Sequence, residues 1–93
     1  MRLVYSREAV ADLTRLRAFI AENDPSAAAR IAAELVTRID NLCRFPHIGV
    51  AVSHAPPPVE VRDMVFGKYR VRYAVHGEAI SILRIWHHYE DHE

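Results

Sequence analysis

The sequence predicts an α+β fold in two layers, in which an N-terminal strand and an αα-hairpin pack on an antiparallel sheet. Helical spacing of apolar residues is confined to residues 7–44, whereas alternation with period two is confined to residues 59–89. Helices and strands that are segregated along the chain in this way are typical of α+β domains. With 93 residues, the chain is expected to form a single domain, 1–93.

The N-terminal part predicts a short edge strand followed by a helix. The run Arg2 to Tyr5 is apolar enough for the strand, and Ser6 is a good N-cap residue. We expect the helix to extend from about residue 7 to residue 22 because apolar residues recur at helical spacing. The predicted apolar stripe is Val10, Leu13, Leu16, Phe19 and Ile20, and the predicted polar side is Arg7, Asp12, Arg15 and Glu22.

A second helix should begin immediately after the first. Asp24 is a suitable N-cap, and Pro25 fits the first helical position. The helix should end near Arg44, because Pro46 disfavours helical geometry in the residue before it. So short a link predicts an αα-hairpin. The predicted apolar stripe is Ala28, Ile31, Ala32, Leu35, Ile39 and Leu42, and the following residues, 47–58, read as a loop.

The C-terminal part predicts a meander of three antiparallel strands. Residues 68–75 alternate large apolar and cationic side chains, and a second alternating run begins at Ala79. Gly77 and Glu78 between them are suited to a two-residue turn. A strand around Arg62 would precede these two. The turn sets Val75 opposite Ile80.

Two registers remain open for the last strand. Regular pairing places Tyr69 opposite Trp86 in the core, but it also places Arg84 on the apolar face. A bulge between Ser81 and Arg84 would reverse the parity downstream and return that arginine to the polar face. In both registers Arg70 and Arg72 lie on the face opposite Tyr69, Val71 and Tyr73.

Composition excludes several classes of protein. Twelve cationic residues balance twelve acidic ones, so electrostatics alone would not hold the chain on nucleic acid. All the cations except Lys68 are arginines. A lone cysteine, Cys43, excludes a disulfide framework and fits the cytoplasm, and no apolar run is long enough for a membrane span. We expect the Cys43 thiol to be buried as a small apolar group.

No metal or cofactor is predicted. The six histidines are His47, His54, His76, His87, His88 and His92, and none belongs to a metal-binding motif. Adjacent histidines on a strand point to opposite faces, so His87 and His88 cannot share a metal ion there. Three glycines are too few for a phosphate-binding loop.

The order and spacing of these segments resemble the RelE/ParE superfamily of toxins from bacterial type II toxin–antitoxin modules. The resemblance covers nearly the whole chain after the first two residues. It rests on Val61-Arg62, on residues 69–75 (YRVRYAV) and on residues 82–87 (ILRIWH). It implies the α+β fold, a cognate antitoxin that binds the toxin, and a hetero-oligomer of the two. RelE-like members cut mRNA on the ribosome, whereas ParE-like members inhibit DNA gyrase.

The RelE-like alternative implies catalytic residues at the end of the sheet. By resemblance, Arg70 would stabilise the phosphorane, His87 or His88 would transfer protons, and Tyr89 would stack on a base or transfer a proton. This alternative lacks the lysine-rich patch of such nucleases, and Glu60 is only a loose match for a catalytic carboxylate.

The ParE-like reading is favoured because it requires no catalytic residues and suits a neutral chain. Arginines on the sheet would then bind the antitoxin or the target. The residues expected to do so are Arg62, Lys68, Arg70, Arg72 and Arg84. A third alternative is an inactive relative that acts only as an antitoxin-binding co-repressor.

Overall fold

A computed structural model describes residues 1–52 and 59–88. They form five strands, two α-helices and one 3₁₀ turn. The strands are β1 (Arg2–Tyr5), β2 (Val50–Ala51), β3 (Glu60–Phe66), β4 (Tyr69–His76) and β5 (Ala79–His87). The helices are α1 (Arg7–Asn23) and α2 (Pro25–Asp40), and the 3₁₀ turn is Asn41–Cys43. Buried side chains of both helices and of the sheet form one core, as the predicted two-layer α+β fold requires.

Both predicted helix starts are confirmed by their caps. The Ser6 hydroxyl accepts a hydrogen bond from the Ala9 N–H at 2.9 Å, and Asp24 accepts one from the Ala27 N–H at 3.2 Å. Pro25 occupies the first position of α2. The short link between the helices gives the predicted αα-hairpin. Past Asp40 the chain tightens into the 3₁₀ turn, so helical structure stops close to the predicted end.

The sheet has the strand order β1-β5-β4-β3-β2 and is mixed. Strands β3, β4 and β5 form the predicted antiparallel meander. Strand β1 lies at an edge, as predicted, but it pairs with β5 in parallel, with Leu3 opposite Ile80. Strand β2 was missed, because two residues inside a loop carry no periodic pattern. It pairs with β3 by placing Val50 opposite Asp63.

The bulged register of β5 is the one observed. Tyr73 lies opposite Ile82 and Arg72 lies opposite Arg84, so Leu83 is the extra residue. Beyond the bulge, Ile85 turns into the core and is fully buried. The regular pairing of Tyr69 with Trp86 is therefore wrong.

Trp86 and two residues of α1 differ from their predicted places. Trp86 lies opposite Arg70, on the face away from the helices, although it is nearly buried. On α1, Val10 is exposed and Asp12 is buried, which reverses their predicted sides. Hydrogen bonds from β5 make the burial of Asp12 possible. Cys43 is only partly buried. No helix in residues 1–52 or 59–88 is long and apolar enough to cross a membrane.

Candidate functional site on the arginine face of the sheet

The sheet surface opposite the helices carries Arg70, Arg72, Arg84 and Trp86, and we call it the arginine face. Strand β4 supplies the first two of these residues, because its side chains alternate between core and surface. Strand β5 supplies the other two, because its bulge turns the side chains of Arg84 and Trp86 to the same face as those of Arg72 and Arg70. From β3, Asp63 and Val65 lie on the same face, directly opposite Arg72 and Arg70.

Arg72 is held by Asp63 in a bidentate ion pair. Its Nε lies 2.9 Å from Oδ1 of Asp63, and its Nη2 lies 3.1 Å from Oδ2. The Asp63 side chain is only 7% exposed, so the guanidinium compensates a nearly buried carboxylate. The hydrogen bonds that Arg72 donates to Asp63 raise the pKa of Arg72 above its ordinary value, although partial burial acts to lower it. Arg70 lies 3.7 Å from the same carboxylate and is half exposed.

Arg84 forms a second bidentate pair, with Asp12 on α1. Its Nε and Nη2 donate to the two carboxylate oxygens at 2.8 and 3.1 Å. These bonds raise the pKa of Arg84. Burial acts to raise the pKa of Asp12, but hydrogen bonds from Arg84, the Ile85 N–H and Arg15 outweigh it and lower that pKa below its ordinary value.

Trp86 joins the two ion pairs. The guanidinium carbons of Arg72 and Arg84 lie 4.9 and 5.5 Å from the centre of its ring. Both distances allow cation–π attraction. The indole is thus covered by cations that carboxylates already neutralise.

Asp12 also closes the edge of β5 beyond the end of β1. The Ile85 N–H donates to Asp12 at 2.8 Å, and the Ile85 carbonyl accepts from Arg15 at 3.2 Å. The Leu83 carbonyl accepts from the Ser6 hydroxyl at 3.0 Å. Side chains from the start of α1 therefore satisfy backbone groups that a neighbouring strand would otherwise bind.

Arg62 lies apart from the arginine face. It donates to Glu60 at 2.8 Å, to the His47 carbonyl at 3.1 Å and to the Gly49 carbonyl. The hydroxyl of Tyr73 holds the same loop, because it donates to the Pro46 carbonyl at 2.8 Å and accepts from the Gly49 N–H at 3.0 Å. Arg62 therefore fixes the loop before β2.

The predicted catalytic residues are divided between the two faces of the sheet. Arg70 is on the arginine face, whereas His87 is on the core side, 7% exposed, with its ring centre 5.1 Å from Phe19 and 5.0 Å from Tyr69. His88 is exposed, and its N–H donates to the Lys68 carbonyl at 2.6 Å. Tyr89 lies outside the described residues.

A small pocket of about 80 Å³ lies beside the turn between β3 and β4, at one end of the sheet. Its lining includes Lys68, Arg70, His87 and His88. This pocket is far smaller than the roughly 300 Å³ at which ligand sites begin. In residues 1–52 and 59–88, no three His, Cys, Asp or Glu side chains are grouped closely enough for a metal ion.

A larger concave surface lies on the αα-hairpin. A groove of about 740 Å³ is bordered by Val10 and Leu13 of α1 and by a row of small residues on α2. That row is Ala29, Ala32 and Ala33. Val10, which the sequence places on the apolar stripe of α1, is exposed and lies along this groove. The short side chains of these alanines leave room for a close neighbour there.

Comparison with known proteins identifies the class to which this fold and surface belong. The family model described as ParE toxin of type II toxin-antitoxin system, parDE, matches residues 3–92. The chain therefore belongs to the ParE toxin family, within the RelE/ParE superfamily of type II toxin–antitoxin toxins.

Individual relatives carry both family names. The chain is 33% identical over 87 residues to Toxin RelE1 of Caulobacter vibrioides, which covers 91% of this chain and 90% of that protein. It superimposes on a chain of the chromosomal ParDE TA system from P. aeruginosa with a TM-score of 0.77 and 25% identity, covering 94% and 95% of the two chains. The archaeal RelE–RelB complex from Pyrococcus horikoshii shares the fold, with a TM-score of 0.55, 15% identity and 97% coverage of each chain.

Proposed function

We propose that this toxin is ParE-like, that it acts in the cytoplasm by inhibiting DNA gyrase, and that a cognate antitoxin neutralises it in a hetero-oligomer. One observation carries the choice between the activities known in the superfamily. Arg72 and Arg84 are each paired with both oxygens of a carboxylate. Cations that are neutralised within the chain are poorly suited to stabilising a phosphorane, which requires positive charge directed at the reacting phosphate.

The positions of the other candidate residues support the same choice. The imidazole of His87 packs between the Phe19 and Tyr69 rings on the core side of the sheet, whereas Arg70 lies on the opposite face. Cleavage of RNA requires the acid and the base to lie within hydrogen-bond reach of the same phosphodiester. The small volume beside Arg70 leaves little room for a nucleotide.

The alternative is a RelE-like, ribosome-dependent endoribonuclease. It is favoured by the similarity to the protein named Toxin RelE1 and by the shared pocket of Lys68, Arg70, His87 and His88. In that function Arg70 would contact the phosphate, and His88 would be the accessible proton carrier. An inactive, antitoxin-binding relative is the third alternative.

For the antitoxin, the groove of the αα-hairpin is the proposed main site. Its walls are apolar and its volume suits one face of an amphipathic helix. The structural neighbour from P. aeruginosa belongs to a ParDE TA system, which supports a partner of this kind. On the arginine face, Arg70 is the proposed contact for an antitoxin carboxylate, because its guanidinium is half exposed and its pairing with Asp63 is long.

A purified translation system separates the two activities. We expect mRNA to remain intact when the folded toxin is added to translating ribosomes. A-site cleavage that disappears in Arg70→Ala, with folding of the variant verified by circular dichroism, would replace this proposal with the nuclease. Absence of both cleavage and gyrase inhibition would leave the co-repressor.

A further inference from the structure

The C-terminal end of β3 extends beyond β2, its short neighbour at the edge of the sheet. Strand β2 pairs with β3 only as far as Asp63, so within residues 1–52 and 59–88 the last three residues of β3 pair with β4 alone. Phe66 and Tyr69 form the hydrogen-bonded pair that closes the β3–β4 hairpin. Because pairs in an antiparallel ladder alternate between hydrogen-bonded and non-hydrogen-bonded, the next pair, Val65 and Arg70, is non-hydrogen-bonded. The N–H and C=O of Val65 therefore point away from β4, towards the free edge.

An apolar pocket lies directly beside this edge. It has a volume of about 350 Å³ and is bordered by the end of α2, the loop before β2 and Val65. Four large apolar side chains around it are mostly exposed: Phe45 57%, Ile48 64%, Val50 71% and Val65 67%. A cluster of this kind next to unpaired strand groups is the pattern of surfaces that bind a partner.

Cations surround the pocket. Arg38 lies over the Phe66 ring at 4.6 Å, Arg44 lies over the Phe45 ring at 5.7 Å, and Arg70 lies opposite Val65. Among the described residues that line the pocket, Asp63 carries the one carboxylate, and Arg72 already holds both of its oxygens. In a chain with no net charge, this local excess of positive charge favours an anionic partner.

We propose that a short, extended, acidic segment of the antitoxin pairs with Val65 as an added strand at this edge. An extended chain directs alternate side chains to opposite faces. Apolar side chains of the segment enter the pocket beside Phe45 and Ile48, and carboxylates on its other side meet Arg70. This inference rests on the antitoxin partnership proposed above but is independent of the cellular target.

Amide hydrogen exchange of Val65 is the direct test. The probe is the antitoxin whose co-expression relieves growth inhibition, and the sample is ¹⁵N-labelled wild-type toxin with and without it. We expect exchange of the Val65 N–H to be slow only in the complex, by about tenfold or more. Equal exchange in both states would overturn the proposal. Slow exchange in concentrated toxin alone would assign the edge to a second copy of this chain instead.

A matched pair of variants tests the bond itself. Val65→Pro removes the outward N–H without removing a bond to β4, and proline is tolerated at strand edges of this kind. Val65→Thr keeps the N–H. We expect the proline variant to lose about tenfold in antitoxin affinity relative to the threonine variant, from the loss of one or two hydrogen bonds. Equal affinities in folded variants would contradict the added strand.

Charge reversal tests the acidic character of the segment. Arg44→Glu should weaken the complex several-fold at low salt and less at high salt. Arg2→Glu on β1, at the opposite edge of the sheet, is the control and should bind as the wild type does. Equal effects of the two reversals would exclude an acidic segment at β3. Failure of wild-type toxin to bind the antitoxin at all would instead remove the antitoxin partnership, and gyrase inhibition can be scored separately from both.

Discussion

The carboxylate of Asp12 accepts a hydrogen bond from the backbone N–H of Ile85 at 2.8 Å, and this bond fixes α1 to the edge of β5. The two residues are 73 positions apart in the chain. The same carboxylate holds Arg84, and neighbouring Arg15 holds the carbonyl of Ile85. One turn of α1 thus binds backbone groups of β5 beyond the end of β1, where a neighbouring strand would otherwise bind them. The ion pair of Asp12 with Arg84 also neutralises a positive charge on the arginine face.

Replacing Asp12 should destabilise the fold. In Asp12→Asn a single carbonyl oxygen must replace a carboxylate that accepts from Ile85, Arg84 and Arg15, and the new amide donors face guanidinium groups. We expect a loss of about 1–3 kcal/mol in the free energy of unfolding, because a nearly buried acceptor is lost. Urea denaturation measures it. Glu22→Gln, on the exposed side of α1, is the control and should change stability by less than about 0.5 kcal/mol. Equal midpoints for the two variants would contradict this role.

Acid should selectively remove the contribution of Asp12. Because its pKa in the folded protein is lowered, its stabilisation is present above the unfolded value of about 4 and is lost as the pH falls through the folded value. The difference in unfolding free energy between wild type and Asp12→Asn should therefore be constant near neutral pH and should shrink below about pH 4. A difference that stays constant down to pH 2 would show that the charge of Asp12 is not what stabilises α1 on β5.

Two buried tyrosine hydroxyls should respond in opposite ways to removal. The Tyr73 hydroxyl donates to the Pro46 carbonyl and accepts from the Gly49 N–H. Tyr73→Phe removes this hydrogen-bond partner from both backbone groups and should lower the free energy of unfolding by about 1–3 kcal/mol. The buried Tyr5 hydroxyl has no hydrogen-bond partner among the described residues, so Tyr5→Phe should be neutral or stabilising by up to about 1 kcal/mol. Thermal unfolding of both variants makes the comparison. A larger loss for Tyr5→Phe would contradict the assignment of these bonds.

Arg70 and Arg72, which are neighbours on the outer face of β4, should differ in their contributions to stability and to antitoxin binding. Among the described residues, Arg72→Ala leaves the buried Asp63 with the longer contact to Arg70 as its one ion pair, and should lower stability by about 1–3 kcal/mol. Arg70→Ala should change stability by less than about 0.5 kcal/mol and weaken antitoxin binding. Isothermal titration with folded variants, beside urea denaturation, separates the effects. Unchanged antitoxin affinity in Arg70→Ala would remove the arginine face from the antitoxin interface.

Much of the fold could be read from the sequence because local signals agree with it. The cap residues Ser6 and Asp24, the alternation of β4 and the turn at Gly77 each depend on near neighbours in the chain. Regular pairing would place Arg84 on the apolar face and Ile85 on the exposed face, and this conflict showed where a bulge in β5 could lie. Pairing alone could not decide between the regular and the bulged register. The burial of Ile85 against the helices decides it.

Other features depend on residues that are distant in the chain, and local patterns could not show them. Asp12 looks like a surface residue by its helical position, and its burial is favourable because Arg84, Arg15 and the backbone N–H of Ile85 donate hydrogen bonds to it. Trp86 was expected in the core because regular pairing places it opposite Tyr69, whereas it lies on the outer face, where two neutralised arginines cover it. The two residues of β2 pair without any periodicity of their own. For the same reason, the paired state of Arg72 and Arg84, on which the proposed function depends, was not visible in the sequence.

The measurement closest to the central proposal is supercoiling of relaxed plasmid by purified DNA gyrase in the presence of the toxin. We expect inhibition that rises with toxin concentration, is reversed by stoichiometric antitoxin, and is retained in the folded variant His88→Ala. Supercoiling that proceeds unchanged while the same toxin preparation cleaves mRNA on ribosomes would contradict the proposal and make the protein a RelE-like nuclease.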